Sequence, residues 1–254
     1  VYSVAGLLPA GLGLLSTRPF RAPHHSISGA ALIGGGIRPR PGELSLAHNG
    51  VLFLDEMPEF DRHALEVLRQ PLEEGTIRIS RSSGSAEFPA QIVLVGAMNP
   101  CPCGHYGHPR RICKCSTGQR ERYAGRISGP LLDRMDLVVE VPWLPPDVLA
   151  DERPQEASCA IRERVLRARS RQLERAKQTG AGTNARLCGR ALRTVTRPDA
   201  AARRVLYQAV DRLALSARGH DRALRVARTI ADLAGESQVH SDHVAEALQY
   251  RLVT

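Results

Sequence analysis

Three observations predict an α/β core of parallel strands flanked by helices, followed by an all-helical domain. Short continuous apolar runs occur at residues 51–54, 91–97 and 137–141, the pattern of strands buried on both faces of a parallel sheet. A helical pattern from about Asp61 to Glu74 separates the first two, and strands separated by helices imply an α/β arrangement. Beyond the Pro-rich stretch Pro142-Trp143-Leu144-Pro145-Pro146, the chain becomes Arg- and Ala-rich, with apolar residues at three- and four-residue spacing, which is helical periodicity.

Taken in order, the run Val51-Leu52-Phe53-Leu54 predicts a first buried strand. The helix over 61–74 follows. Thr76-Ile77-Arg78-Ile79-Ser80 and Ala86-Glu87-Phe88-Pro89 then flank a polar break at 81–85, which predicts a β-hairpin with Gly84 near its tip. Residues 91–97 predict the second core strand and 137–141 a third. In the helical half, Ile161, Val165, Leu166 and Leu173 predict one apolar helix face, and Leu206, Val210, Leu213 and Leu215 another. Leu224, Ala227, Ile230, Ala231 and Ala234 mark a third, and Val244, Leu248 and Leu252 the last. The Pro-rich stretch reads as a linker, so the predicted domains are 1–146 and 147–254. No internal repeat is visible.

Composition narrows the function. With 43% hydrophobic and 24% charged residues, the chain reads as soluble and globular. No apolar run approaches membrane-spanning length, and the start at Val1 lacks a basic leader, so a cytoplasmic protein with no membrane partner is expected. The net charge of +9 and a pI of about 9.8 favour an anionic partner such as nucleic acid or nucleotide. All but two of the basic residues, Lys114 and Lys177, are arginines, and arginine binds phosphate through a planar fork. Four of six cysteines, Cys101, Cys103, Cys113 and Cys115, fall within fifteen residues, which favours a metal cluster over disulfides.

The chemistry concentrates in few places. Leu52-Phe53-Leu54-Asp55-Glu56 puts two acids at the C-terminal edge of a buried strand, where α/β folds bind ligands. Asp55 suits a Mg²⁺ held through its waters, and Glu56 suits orienting a water for attack. A strand ending at a solvated acidic turn is the alternative. Asn99 ends the second core run. Four thiolates at Cys101, Cys103, Cys113 and Cys115 suit a structural Zn²⁺, although the one-residue separations are tighter than usual and reduced thiols are the alternative. His105 and His108 are other ligand candidates there, and Arg110, Arg111 and Lys114 are available to a nucleic-acid backbone. His24 and His25 point to opposite faces if they lie on a strand, which favours an ordinary loop role.

Longer strings carry a resemblance. Arg18-Pro19-Phe20-Arg21-Ala22-Pro23-His24-His25, residues 41–50, Asn99-Pro100-Cys101-Pro102-Cys103-Gly104 and residues 226–235 resemble the magnesium-chelatase-like ComM (YifB) family of AAA+ ATPases. The resemblance covers nearly the whole chain. It implies a P-loop NTPase-type core and an α-helical lid in a homo-hexamer that uses ATP and Mg²⁺ to drive DNA branch migration in natural transformation. Asp55 and Glu56 then stand at the Walker B position and Asn99 at sensor 1. Residues 128–137 resemble the arginine-finger segment of the helix-2-insert branch, with Arg134 reaching the ATP of the next subunit. Arg218 matches sensor 2, with Arg222 as second candidate. The hairpin over 76–91 corresponds to one that points into the hexamer pore, which makes Arg81, with Ser82, Ser83 and Ser85, a candidate DNA contact. The sequence departs from the family in one respect: no G-x-x-x-x-G-K-[ST] occurs. The core is therefore expected to be truncated at its N-terminus, and the chain to be inactive alone. A motor for metal insertion into a porphyrin and a non-catalytic DNA-binding subunit are the competing readings.

Overall fold

Hydrogen bonding sorts seven strands into three sheets among the residues that this computed structural model describes, namely 1–11, 13–36, 39–81, 84–150 and 155–251. The strands are β1 (Phe20–Arg21), β2 (Gly34–Gly35), β3 (Arg40–Pro41), β4 (Val51–Leu54), β5 (Thr76–Arg81), β6 (Gly84–Pro89) and β7 (Val93–Gly96). A parallel sheet has the order β1-β4-β7, with Val51 beside Val93 and Leu54 beside Gly96. β2 pairs with β3, and β5 with β6, both antiparallel. Contacts divide the chain into two compact units, Val1–Arg134 and Met135–Thr254.

The first unit is built around β4. Leu52 and Leu54 are fully buried, packed with Leu32, Leu44, Leu65 and Leu68 from short helices and with Ile77 and Ile79 from the hairpin. The other face of the sheet differs from the expectation of burial on both sides. Phe20 and Val93 are 64% and 60% exposed, because the helices packed on the sheet among the described residues lie on the leucine side. β1 is too short for a periodic signal and is held by its surroundings. Val51 N–H donates to the Pro19 carbonyl at 2.8 Å, and Arg21 Nε and Nη2 donate to the two carboxylate oxygens of Glu43 at 2.6 and 2.7 Å. Gly50 is required there, since a Cβ would stand 1.9 Å from the Pro19 oxygen.

The helical stretch after β4 forms as two pieces, Arg62–Glu66 and Arg69–Glu74. Asp61 caps the first by accepting the His63 and Ala64 N–H groups at 2.8 and 3.2 Å, an N-cap that offsets about 1 kcal/mol of end fraying. Pro71 lacks the N–H that would continue the ladder to Val67, so the helix restarts. Gly75 ends it at φ 70°. The predicted hairpin is present with Arg81 opposite Gly84.

Residues 137–141 correct the sequence reading: they form no strand. Val139 and Val141 are exposed, and the Val138 N–H donates to the Tyr250 carbonyl at 2.9 Å. A β-branched run becomes a strand only where a neighbouring edge receives it.

The second unit is helical, with Ser158–Thr179, Gly189–Thr196, Ala200–Arg212, Ala217–Ala234 and Ser241–Gln249 as its main helices. Its core joins Leu192, Leu206, Leu224, Ala227, Ala231, Val244 and Leu248; of the predicted faces, Leu213 and Ala234 are exposed instead, and Leu252 lies outside the described residues. The long helix Ser158–Thr179 departs most from that pattern. Ile161, Val165, Leu166 and Leu173 are exposed, and the helix buries Ala168 and Gln172 instead. It docks through polar groups. Arg171 Nη1 donates to the Asp232 carbonyl at 2.6 Å, and Arg175 pairs with the Asp232 carboxylate. Asp232 is fully buried and also receives Arg228 at 3.1 Å and Asn184 Nδ2 at 2.8 Å. Burial lowers the pKa of the Arg228 guanidinium, against the opposing pull of Asp232.

Removing one member of a buried charge network leaves the others uncompensated. Asp232→Ala is expected to lower the stability of the second unit by about 3–5 kcal/mol. Urea denaturation followed by helical circular dichroism measures it, and a change below about 1 kcal/mol contradicts the assigned network.

Candidate functional site

The β4–β7 pair sets the site geometry. Ala97 N–H donates to the Leu54 carbonyl and Met57 N–H to the Ala97 carbonyl, each at 2.9 Å, so both strand ends finish at one edge. Gly96 is needed for this approach, because a Cβ would meet Met57 Sδ at 2.7 Å. Just past the edge stand Asp55 and Glu56, both exposed. Asp55 Oδ1 accepts the Glu56 N–H at 2.9 Å. Glu56 holds left-handed backbone angles, φ 51° and ψ 44°, a conformation that costs an ordinary side chain about 1 kcal/mol or more. Asn99 follows β7 three residues on and is also exposed. Hard carboxylate oxygens open to water suit a hydrated Mg²⁺.

Neighbours that the sequence reading does not place also meet here. His25 Nδ1 lies 3.6 Å from Glu56 Oε2, and its ring stands 4.0 Å from that of His24 between centroids. The loop thus brings the two imidazoles together, with one facing the candidate water-orienting carboxylate. Arg126 Nη1 donates to Glu59 Oε2 at 2.7 Å and to the Pro58 carbonyl at 3.0 Å, tying residues 117–127 to the turn after Glu56. Tyr123 is buried beneath; burial raises its pKa, against the opposing pull of the Asn99 backbone. No sequence signal short of spatial proximity marks these partners.

Other candidates are spread out. Arg134 follows the short helix Gly129–Leu132 and is drawn back onto its own unit. Nη2 meets Glu73 Oε2 at 2.5 Å, Nη1 donates to the Pro130 carbonyl at 2.7 Å, and the side chain is only 10% exposed. Arg218 and Arg222 belong to the second unit, in the first turns of Ala217–Ala234, which Ser216 caps. Arg218 is exposed, and Arg222 Nη1 meets Asp136 Oδ1 at 3.3 Å. Arg81 ends β5, but its side chain, with Ser82 and Ser83, lies outside the described residues. Ser85 is on β6 opposite Ser80.

The four clustered cysteines converge. Cys101, Cys103, Cys113 and Cys115 have their sulfurs all within 4.8 Å of one another. Sulfur separations of 3.4, 3.7 and 3.6 Å link the first three; tetrahedral zinc with Zn–S near 2.3 Å places sulfurs about 3.8 Å apart. Gly104 and Gly107, at φ 75° and 79°, turn the loop back. Backbone N–H groups point inward: Tyr106 N–H donates to Cys101 Sγ at 3.3 Å. Those of His105 and then Lys114 hold the Cys103 thiol down at about 6, while burial pushes Cys115 up to about 12. The donor set fits Zn²⁺. His108 Nδ1 instead accepts the Arg110 and Arg111 N–H groups at 3.0 Å. Cys159 and Cys188 are exposed and lie in the other unit.

Comparison with known proteins adds to this geometry. Residues 1–149 match the family model of magnesium chelatase, subunit ChlI, and residues 155–251 that of the ChlI C-terminal region. The competence protein ComM of Haemophilus influenzae is 51% identical over 235 residues, covering 92% of this chain and 45% of that protein. YifB of Salmonella typhimurium is 46% identical over 240 residues, covering 93% and 46%. An uncharacterized protein of Mycobacterium bovis is 47% identical over 252 residues, covering 99% and 50%. The chain spans about half the length of the curated relatives it matches. No described helix is long and apolar enough to cross a membrane.

Protein purified without chelators is expected to contain about one zinc per chain by elemental analysis, the stoichiometry of a four-thiolate site. Cys113→Ser should release most of that zinc while the helical unit melts as before. Metal-free wild-type protein rules the centre out.

Proposed function

The chain belongs to the magnesium chelatase ChlI family, and from that premise we propose that it supplies core and lid elements of an ATP-hydrolysing motor that remodels DNA. The observation that carries the reading is the shared edge at which β4 and β7 end, with Asp55 and Glu56 directly after one strand and Asn99 three residues after the other. Mg²⁺ bound with ATP supplies charge neutralisation at the phosphates. Asp55 would hold the hydration shell of that Mg²⁺, Glu56 would orient the attacking water and Asn99 would sense the terminal phosphate. His25, 3.6 Å from Glu56, restricts where that carboxylate points.

Arg134 is proposed to act on the nucleotide of a neighbouring subunit in a homo-hexamer, stabilising charge in the transition state. The Arg134–Glu73 ion pair must then open on assembly. Arg218, with Arg222 behind it, is proposed to report nucleotide from the helical unit. The charge of +9 and the Arg81 end of the hairpin support a DNA partner touched through its backbone, in the cytoplasm. These residues contain no phosphate-loop motif, and they are proposed not to hydrolyse ATP by themselves.

A metal-insertion motor is the second reading, favoured by the description of the matched family. Stimulation of the full-length protein's ATPase by DNA supports the first; stimulation by a porphyrin-binding partner supports the second.

In the full-length protein, Glu56→Gln is expected to keep ATP binding while steady-state hydrolysis falls by about 10²-fold or more. Hydrolysis within a few-fold of wild type removes Glu56 from the site. Arg134→Ala is expected to leave nucleotide affinity nearly unchanged and cut turnover by about 10³-fold. Mixed hexamers of the two variants should regain activity, since one interface then pairs two intact halves. Mixtures as inactive as their components show that Arg134 does not act in trans.

A further inference from the structure

The second unit contains a cavity that the motor reading does not use. Its volume is about 720 Å³, within the range of about 300–1,000 Å³ typical of ligand pockets. Three pieces of chain wall it. The end of Ser158–Thr179 contributes Arg175 and Gln178, the helix Gly189–Thr196 contributes Arg190 and Thr194, and Arg197 and Gln238 complete the rim. Every charged lining residue is an arginine. Arg175 is already engaged by Asp232 and Asn184. Arg190 and Arg197 are exposed, and among the described residues neither has a carboxylate partner.

Arg197 carries a second indication. It ends its helix in the left-handed region, φ 32° and ψ 60°, where glycine is the residue of least strain. The helix thus stops on a strained arginine whose side chain lines the cavity. Two uncompensated guanidinium groups, with neutral hydrogen-bonding groups from Gln178, Thr194 and Gln238 and no acid in the wall, select an anion rather than a cation or an apolar ligand.

We propose that this cavity is a binding site for the phosphate group of an organic phosphate, presented by a nucleic-acid strand or by a nucleotide. Guanidinium forks suit phosphate oxygens, and the neutral groups of the lining can complete their hydrogen bonding. In its nucleic-acid form the inference rests on the DNA reading proposed for the motor.

The test uses this chain and the paired variant Arg190→Ala/Arg197→Gly, which relieves the backbone strain and is expected to retain the wild-type melting profile. Anisotropy of a labelled single-stranded 20-mer is followed across a salt series, and binding of a fluorescent ATP analogue is titrated separately. If a strand fills the cavity, the variant weakens oligonucleotide binding by about 10-fold or more. The slope of log affinity against log salt then becomes shallower by about 0.7 for each phosphate that the variant no longer neutralises. If a nucleotide fills it, analogue binding weakens instead and the oligonucleotide is unaffected. A folded variant that binds both probes like wild type overturns the cavity assignment and leaves the DNA reading standing. Wild-type chain that binds neither probe overturns the cavity, and with it the DNA reading as applied to these residues.

Discussion

Two backbone hydrogen bonds organise the first unit's chemistry: Ala97 N–H to the Leu54 carbonyl, and Met57 N–H to the Ala97 carbonyl. They fix the register in which β4 and β7 end together. Asp55 and Glu56 directly follow one of these strand ends, and Asn99 comes three residues after the other. The sheet below supports this with Leu52 and Leu54, which are buried completely and hold β4 against the helices. Gly96 permits the approach, since any side chain there collides with Met57. A shift of that register would change which residues leave the sheet at this edge.

Much of this is legible in the sequence, and the failures have physical causes. Val51–Leu54 and the hairpin are readable because apolar runs, turn residues and acids fall in a local order that short-range rules describe. The cysteine cluster is readable because ligands close in sequence can meet without help from the fold. β1 escapes such rules because two residues carry no period; its place comes from Arg21 and Glu43, 22 positions apart. Residues 137–141 have strand composition but pair with no strand among the described residues. The apolar residues on Ser158–Thr179 suggest a core face, whereas Arg171 and Arg175 anchor that helix to Asp232. The pairings of Glu56 with His25 and of Arg134 with Glu73 join positions 31 and 61 apart, and no periodicity encodes them.

The helical unit uses its arginines in two different ways. Arg228 is buried against Asp232, with Ser237 and Glu236 carbonyls accepting from its guanidinium. There the guanidinium works as a branched structural strut whose charge is neutralised at the point of burial. Arg190 and Arg197 lie at the surface with no such neutralisation among the described residues. The same residue type therefore builds the interior in one place and leaves a positive potential at the surface in another. Net charge alone does not distinguish the two uses.

The left-handed backbone at Glu56 also bears on how the chain can change over time. Glycine or asparagine would sit in that conformation with less strain, so selection for thermal robustness alone favours losing the carboxylate. A laboratory search for hardier variants should drift toward such replacements at this position, trading the carboxylate for a calmer turn.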